Sequence, residues 1–270
     1  MITLGLQVFS LNNLSLSPKL FNHYYQLEED FSLKISTKIF INILPKKLKY
    51  LIALETFPFR NNSYAQEGED LIIDKLLKYK KSGFYVDIGA HHPVKFSNTF
   101  IFYKRGWNGI NVDAMPDSMN EFEKIRPRDI NIQAAISNNN SEETFYIFNE
   151  PALNTLNAEE AKNKDNKNGY KIIKELKLDT FKLLEILDNQ LSENQEIDFL
   201  SIDTEGNDLN VLKSNNWEKY KPKLVLVEDL KFKNIEDYHQ SEMYIFMKNL
   251  NYSIVAKTIN TVFYQLNEGK

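Results

Sequence analysis

The chain has 270 residues, of which 42% are hydrophobic and 26% charged, a composition typical of a globular protein with one large domain. Its formal net charge of −4 disfavours nucleic acid as a substrate, because neutralising phosphates requires a basic surface. It has no cysteine, which excludes disulfides, thiolate zinc sites and cysteine nucleophiles and fits a reducing compartment.

The first sixty residues show weak periodicity and no secretory leader. No run approaches the roughly 18 apolar residues of a membrane helix, and the nearest candidate, 39–54, is interrupted by Pro45 and lysines. The part after Pro45 suits either a basic amphipathic helix on the inner face of a membrane or a helix packed on the core. We predict a helical N-terminal extension over 1–62, no integral membrane segment and a cytoplasmic location.

A regular alternation of elements begins at residue 63. Periodicity predicts helices over 65–79, 98–104 and 118–125, and strands over 84–88, 109–112, 130–135 and 144–148. The stretch 154–169 is rich in Asn, Lys and Glu, and we interpret it as a mobile loop or a frayed helix.

The second half continues the alternation. Strands are predicted over 197–202 and 224–227, helices over 209–212 and 242–250, and a closing hairpin over 252–256 and 262–266. Strands that alternate with helices form a mostly parallel sheet covered on both faces, to which the hairpin adds an antiparallel strand. The predicted domain spans 63–270.

Ligands of an open parallel sheet bind beyond the carboxyl ends of its strands. The first strand ends in Asp87, Ile88, Gly89 and Ala90, where a glycine lets a ligand approach the backbone. The spaced glycines of the dinucleotide fingerprint are missing, because two histidines and a proline follow. Such a turn suits a ligand with an amino group and little phosphate, such as the methionine part of S-adenosylmethionine. The alternative is a tight strand-to-helix turn without a ligand.

Two more polar groups follow at this edge. Asp113 ends the second strand, 26 residues after Asp87, where an acid commonly binds both ribose hydroxyls. Its alternative role is a helix cap, which Asp117 or Ser118 can also fill. The run Ser97–Thr99 precedes a helix, and either caps it or donates to a ligand carboxylate.

Carboxylates end the later strands. Asp203 and Glu205 follow one strand and Glu228 ends the next. The three could together hold Mg²⁺ or Mn²⁺, which prefer oxygen ligands, or they could cap helices or lie solvated at the sheet edge. His91 or His92 could join such a site or act as a general base, and the alternative for each is a structural role.

Three blocks of the sequence resemble the FkbM-type methyltransferase family. They are YAQEGEDLIID at 64–74, FYVDIGAHHPVKFSNTFIFYKRGWNGINVDAMP at 84–116 and IDFLSIDTEGNDLNVLKSNNW at 197–217. The order and spacing of the blocks agree with the family, and the resemblance covers roughly residues 63 to 230.

The resemblance implies a class I methyltransferase fold, which is Rossmann-like, with a mostly parallel seven-stranded sheet, an antiparallel C-terminal strand and S-adenosylmethionine as the methyl donor. The implied cofactor contacts are Gln66, Asp87, Gly89, Ala90, Ser97, Asn98, Thr99, Asp113, Ala114, Ala135 and Ile136. Asp70 would help to close this site. Asp203, Glu205, Glu228 and His92 would line the acceptor side.

The resemblance further implies O-methylation, frequently of a sugar in a surface glycan such as capsule or lipopolysaccharide, or of a natural product. The partner is then a small-molecule or glycan acceptor. We expect Asp203, Glu205 or His92 to remove the hydroxyl proton, with or without a divalent ion. A NAD-dependent oxidoreductase is the first alternative, against which the missing glycines count. A non-catalytic binding protein on the same fold is the second, against which the intact acidic strand ends count.

Overall fold

The computed structural model describes residues 61–229 and 235–267. The predicted N-terminal extension therefore falls almost wholly outside the described residues. Within the described part, none of the helices combines the length and the apolar character that spanning a membrane requires.

The main sheet has seven strands in the spatial order β3-β2-β1-β7-β8-β10-β9. They are β1 (Phe84–Ile88), β2 (Asn108–Asp113), β3 (Ile130–Gln133), β7 (Phe199–Ile202), β8 (Leu224–Glu228), β9 (Tyr252–Lys257) and β10 (Thr261–Leu266). Neighbours from β3 to β8 are parallel, and β10 is antiparallel to both β8 and β9. The class I methyltransferase fold implied by the resemblance is confirmed, as is the closing hairpin.

Helices alternate with strands along the described part of the chain. They are α1 (Glu69–Leu76), α2 (Phe100–Lys104), α3 (Met119–Ile125), α4 (Ala158–Lys164), α5 (Leu183–Gln190), α6 (Asp208–Lys213), α7 (Ile235–Tyr238) and α8 (Glu242–Asn249). The helix expected over 65–79 begins only at Glu69, because Gly68 before it adopts a left-handed φ of 85°.

A second, smaller sheet has the order β4-β6-β5. Its strands are β4 (Ala135–Ile136), β5 (Glu142–Phe148) and β6 (Ile172–Phe181). We call residues 135–181, which carry this sheet and α4, the excursion. The single strand expected over 130–135 was wrong, since β3 ends at Gln133 and Ala135 pairs with β6 instead.

The excursion also corrects the interpretation of 154–169, which contains a regular helix. The side chain of Asn157 accepts hydrogen bonds from the backbone N–H groups of Glu159 and Glu160, so α4 is capped. β6 and α5 were not predicted at all.

The central strands are buried because helices cover both faces of the sheet. Every residue of β1 and β7 is buried. Since successive side chains alternate between faces, Val86 and Leu200 join one hydrophobic core and Tyr85 and Phe199 the other. This packing holds the carboxyl ends of β1, β2, β7 and β8 at one edge, where the site lies.

Candidate functional site

The turn after β1 is fixed between two strand ends. The backbone N–H groups of Gly89 and Ala90 donate to the carbonyl of Val112 at 2.9 and 3.0 Å. Gly89 has a φ of 80°, and a Cβ on it would lie 1.7 Å from the carbonyl oxygen of Asp203. The close approach of two protein segments thus requires this glycine, whether or not a ligand binds.

Asp87 lies within β1, beneath the turn, and is only 4% exposed. The Thr99 hydroxyl donates to its carboxylate at 2.9 Å. Burial raises the pKa of Asp87, whereas the charge of Arg126 and hydrogen bonds from Thr99 and Ser201 lower it. The carboxylate is thus already hydrogen-bonded within the protein.

The three residues Ser97–Thr99 differ in burial. The Ser97 hydroxyl accepts from the backbone N–H groups of Thr99 and Phe100, at the start of α2. Ser97 and Thr99 are 2% and 0% exposed, so their hydrogen bonds stay inside the protein. The capping alternative describes Ser97, whereas the Thr99 side chain makes no cap hydrogen bond and donates to Asp87 instead. Asn98 is half-buried, and its amide donates to the Ser201 hydroxyl at 3.1 Å.

A buried arginine supports this region. Arg126, after α3, is fully buried and donates to Asp129 at 2.8 Å, to the Tyr85 hydroxyl at 2.8 Å and to Thr99 at 2.9 Å. Because Thr99 in turn donates to Asp87, the network joins the end of α3 to β1 and the turn that follows it. No sequence pattern marks Arg126, since a single arginine after an amphipathic helix is usually exposed.

We expect Arg126→Met to destabilise the fold by about 3–5 kcal/mol, because it leaves Asp129 buried without its cation. Urea unfolding followed by circular dichroism measures this free energy. Arg128→Met is the matched control, since Arg128 is exposed and lies two positions away. Equal loss of stability in the two variants would contradict the assigned role of Arg126.

Asp113 ends β2 and is half-buried. Its carboxylate accepts from the backbone N–H groups of His91 at 2.9 Å and Met115 at 2.8 Å. Burial raises the pKa of Asp113, and these two hydrogen bonds lower it. The neighbouring Ala114 is half-buried as well. Both residues therefore lie at the carboxyl edge where a ribose was expected.

The remaining expected cofactor residues differ in exposure. Gln66 is exposed in the segment before α1. Asp70 is fully buried and accepts from the Ser63 hydroxyl at 2.6 Å and the Tyr64 backbone at 2.7 Å, which fixes that segment. Ala135 and Ile136 form β4 and are 3% and 4% exposed, and the carbonyl of Ile136 accepts from the Asn207 amide at 2.8 Å.

Three carboxylates meet where β7 and β8 end. One oxygen each of Asp203, Glu205 and Glu228 lies within 4.8 Å of the others, and all three residues are half-buried. We call them the acid cluster. Burial and the neighbouring Glu205 and Asp208 hold the pKa of Asp203 well above its ordinary value. The structure therefore brings together the acids that the strand ends suggested.

Glu228 is another strongly perturbed member of the acid cluster. Burial, together with the charges of Asp203 and Glu205, raises its pKa to about 11. Among the described residues its Oε2 atom is buried and has no hydrogen-bond partner. A neutral carboxyl with a free oxygen is an uncommon buried arrangement, and such arrangements concentrate at functional sites.

The loop after β7 is held in one conformation. The Asp208 carboxylate accepts from the backbone N–H groups of Thr204 at 2.7 Å and Gly206 at 3.0 Å. Glu205 between them has a φ of 53°, an uncommon value for a residue with a side chain. Asp208 was missed in the sequence, although an acid at the start of a helix is an available signal for such a turn.

The excursion covers this loop. Lys164, at the end of α4, forms a salt bridge with Glu205. The Thr155 hydroxyl donates to the carbonyl of Glu205 at 2.8 Å, and the Asn157 amide donates to the carbonyl of Gly206 at 2.7 Å. These contacts were missed because the Asn- and Lys-rich composition suggested a loop. The signal that could have found α4 is its Asn cap with acids in the first turn.

Lys164 carries a positive charge at neutral pH. Burial lowers its pKa, but the carboxylates of Glu205, Glu228 and Glu160 outweigh burial and raise the value above the ordinary one. The acid cluster is thus already partnered by one cation.

His92 makes contacts that do not suit a general base. Its Nδ1 accepts from the backbone N–H groups of Val94 at 3.0 Å and Lys95 at 2.9 Å. The neutral ring then carries its proton on Nε2, which lies 3.7 Å from Glu121. Burial lowers the pKa of His92, so this neutral form is favoured. No ring nitrogen is left to take a proton from an acceptor.

The raised pKa of Glu228 makes stability depend on pH. The folded protein keeps a proton that the unfolded chain releases above its ordinary pKa of 4.5, and the folded value is about 11. Stability from this group is therefore complete below pH 4.5 and is lost progressively as the pH rises toward 11. We expect Glu228→Gln, which keeps the shape without titrating, to melt at a higher temperature than the unmodified protein at pH 8.

Thermal melts at several pH values test this expectation. The difference in melting temperature between Glu228→Gln and the unmodified protein should shrink toward acidic pH and vanish near the ordinary pKa of glutamate. Glu218→Gln is the control, because Glu218 is exposed and should behave like the unmodified chain. An unchanged pH dependence in Glu228→Gln would show that this carboxyl is not the cause.

Comparisons with known proteins agree with this arrangement. Residues 87–254, more than half of the chain, match the family described as "Methyltransferase FkbM domain". No curated protein sequence matches the chain.

Solved methyltransferase structures are also similar at low identity. One from Geobacter sulfurreducens is 13% identical, with 87% of this chain and 96% of that chain covered and a TM-score of 0.38. A TehB-like S-adenosylmethionine-dependent methyltransferase from Corynebacterium glutamicum is 8% identical, with 82% and 97% covered and a TM-score of 0.37. A putative RNA methyltransferase from Pyrococcus horikoshii is 11% identical, with 83% and 100% covered and a TM-score of 0.37.

Proposed function

The chain belongs to the FkbM methyltransferase family, and from that premise we propose that it transfers a methyl group to a hydroxyl oxygen of a carbohydrate acceptor. The family and the seven-stranded sheet make it an S-adenosylmethionine-dependent methyltransferase. The acceptor class is the proposal. Surface glycans and sugar-bearing natural products are the compounds that we consider first.

The observation that carries the proposal is the acid cluster beside Gly89 and Ala90, the turn after β1, which we call the cofactor turn. The carbonyl of Asp203 lies against Gly89, so the cluster adjoins the place where the methyl donor is expected. A sulfonium ion is positively charged, and a nearby positive charge favours ionised carboxylates. Binding of the donor would therefore lower the raised pKa values in the cluster. Hydroxyl acceptors, unlike neutral amines, must lose their proton to become good nucleophiles.

Cofactor binding is assigned to the first two strand ends. We propose that Asp113 binds the ribose hydroxyls and that the backbone at Gly89 and Ala90 borders the methionine part. Asn98 is half-buried at the same edge and would contact the methionine carboxylate. Ser97, Thr99 and Asp87 would act indirectly, by fixing the loop that follows β1.

Methyl transfer is an in-line displacement. The acceptor oxygen forms a bond to the methyl carbon, the carbon–sulfur bond breaks with its electron pair going to sulfur, and S-adenosylhomocysteine leaves. We assign the acceptor proton to the carboxylate of Asp203, because the backbone carbonyl of this residue lies against Gly89 and its carboxylate has no ion-pair partner among the described residues. Alignment of oxygen, carbon and sulfur supplies several kcal/mol of the rate enhancement.

A divalent ion is a second version of this mechanism. The acid cluster offers three carboxylate oxygens within 4.8 Å of one another, which suits Mg²⁺ or Mn²⁺, and such an ion would lower the pKa of a bound hydroxyl. The acid cluster fits such an ion poorly in one respect, because the carboxylate of Glu205 already forms a salt bridge with the ammonium group of Lys164. We therefore route no step through a metal.

An acceptor screen tests the proposal. The full chain is incubated with isotope-labelled methyl donor and a panel of nucleotide-linked sugars, polysaccharide precursors, amines and RNA. We expect label in a sugar methyl ether, identified by mass spectrometry and resistant to mild base. Label confined to an amine nitrogen or to RNA would overturn the proposed acceptor class.

A further inference from the structure

We propose that the ammonium group of Lys164 is the resident cation of the acid cluster, and that this chain therefore transfers methyl groups without a divalent ion. The inference rests on the proposed function, since it concerns the same acceptor site. In this inference the excursion, and α4 in particular, positions the ammonium group of Lys164.

The ion pair is partly withdrawn from water. The side chain of Lys164 is 19% exposed and that of Glu205 is 16% exposed, and the two form a salt bridge. Other ion pairs of the described residues lie elsewhere, for example those of Asp74, Asp129 and Asp198. Charges removed from water are stable only when they are paired, so Glu205 depends on Lys164.

The position of Lys164 is built into the fold. Asn157 caps α4 with its side-chain oxygen and donates with its amide to the carbonyl of Gly206 at 2.7 Å. Thr155 donates to the carbonyl of Glu205 at 2.8 Å. The helix that carries Lys164 is thereby clamped to the loop that carries Glu205. Lys164 is thus a positioning residue, which acts through Glu205 and that loop.

A divalent ion and Lys164 would compete for the carboxylate of Glu205. An ion bound by all three carboxylates needs Glu205, and it would meet the ammonium group there. The compact charge of a lysine at that point fills the role that a metal plays in other oxygen-rich sites. Methionine has a similar length and no charge. Lys164→Met should therefore leave three carboxylates without a cation and create a metal site.

The test compares the unmodified chain, Lys164→Met and Lys164→Arg with the control Lys162→Met, an exposed position on the same helix. Thermal melts with and without Mn²⁺ give a readout independent of activity. We expect Mn²⁺ to raise the melting temperature of Lys164→Met by about 4 °C or more and to leave the other three proteins unchanged.

Activity is measured in parallel after treatment with EDTA. EDTA should not change the activity of the unmodified chain or that of Lys164→Arg, whereas Lys164→Met should be about ten-fold less active than the unmodified chain and recover part of that loss with Mn²⁺. Loss of activity of the unmodified chain in EDTA, restored by Mn²⁺, would overturn the inference. So would a Mn²⁺ response of Lys164→Met equal to that of Lys162→Met.

The test still decides the question if a variant does not fold or if the chain methylates no hydroxyl. If Lys164→Met does not fold, the EDTA and Mn²⁺ responses of the unmodified chain alone decide between a lysine and a metal. If the unmodified chain methylates no hydroxyl under any condition, the proposed function fails. The melts then still show which cation the acid cluster holds, so the two failures are distinguishable.

Discussion

Replacing Asp203 with asparagine is expected to reduce methyl transfer by roughly 10²- to 10⁴-fold, the usual contribution of a positioned proton acceptor. Asparagine keeps the size of the side chain and cannot take the proton of the acceptor hydroxyl. Affinity for S-adenosylhomocysteine should change by less than about three-fold, because the assigned cofactor contacts lie on the first two strand ends. Single-turnover kinetics and calorimetry measure the two quantities.

The matched control is Asp179→Asn, an exposed carboxylate on β6. It should keep normal turnover and normal cofactor affinity. Loss of cofactor binding in Asp203→Asn, with the fold intact by thermal melt, would show that Asp203 belongs to the cofactor site instead. Unchanged turnover would remove it from the mechanism altogether.

Gly89→Ala is expected to destabilise the protein by about 3–5 kcal/mol. Alanine at a φ of 80° is strained, and its Cβ would lie 1.7 Å from the carbonyl oxygen of Asp203. That carbonyl is backbone, so the ends of β1 and β7 would have to separate. The same movement would disturb the cofactor turn and the acid cluster, so binding of S-adenosylhomocysteine should also be lost.

Gly106→Ala separates the strain of the left-handed backbone from the contact with the Asp203 carbonyl. Gly106 has a φ of 95°, yet a Cβ there would have no neighbour within 4 Å. The free energy of unfolding of this variant should fall by only about 1 kcal/mol, the cost of a left-handed backbone conformation for alanine. Chemical denaturation of both variants measures the difference. Similar values for the two would mean that the contact with Asp203 does not matter.

Much of the fold was predictable because its strands are buried on both faces. β1, β7 and β8 read as short apolar runs, and the closing hairpin has two such runs around Ile259–Asn260. β6 could not be found this way. It is largely exposed and rich in charged residues, so its pairing with β5 stabilises it more than its own apolar pattern does.

The site was predictable to the extent that it lies on strand ends. The carboxyl ends of parallel strands share one edge, so Asp113, Asp203 and Glu228 had to lie along that edge. Lys164 and Arg126 reach the site from the excursion and from the end of α3, and their contacts cross long stretches of chain. Periodicity within a segment carries no information about such contacts.

The cofactor residues implied by the resemblance fall into two groups in the structure. Asp113, Gly89 and Asn98 lie at the edge of the sheet, whereas Ser97 and Thr99 hold the loop from within. A serine or threonine before a helix has the same sequence signature in both roles. Only burial distinguishes them.

Titration calorimetry of the full chain with S-adenosylhomocysteine and with NAD tests the central claim most directly. The account predicts that S-adenosylhomocysteine binds at one site per chain, that NAD does not bind, and that Asp113→Ala weakens S-adenosylhomocysteine by about ten-fold or more, since it removes hydrogen bonds from a charged group to the ribose. Binding of NAD without binding of S-adenosylhomocysteine would contradict it.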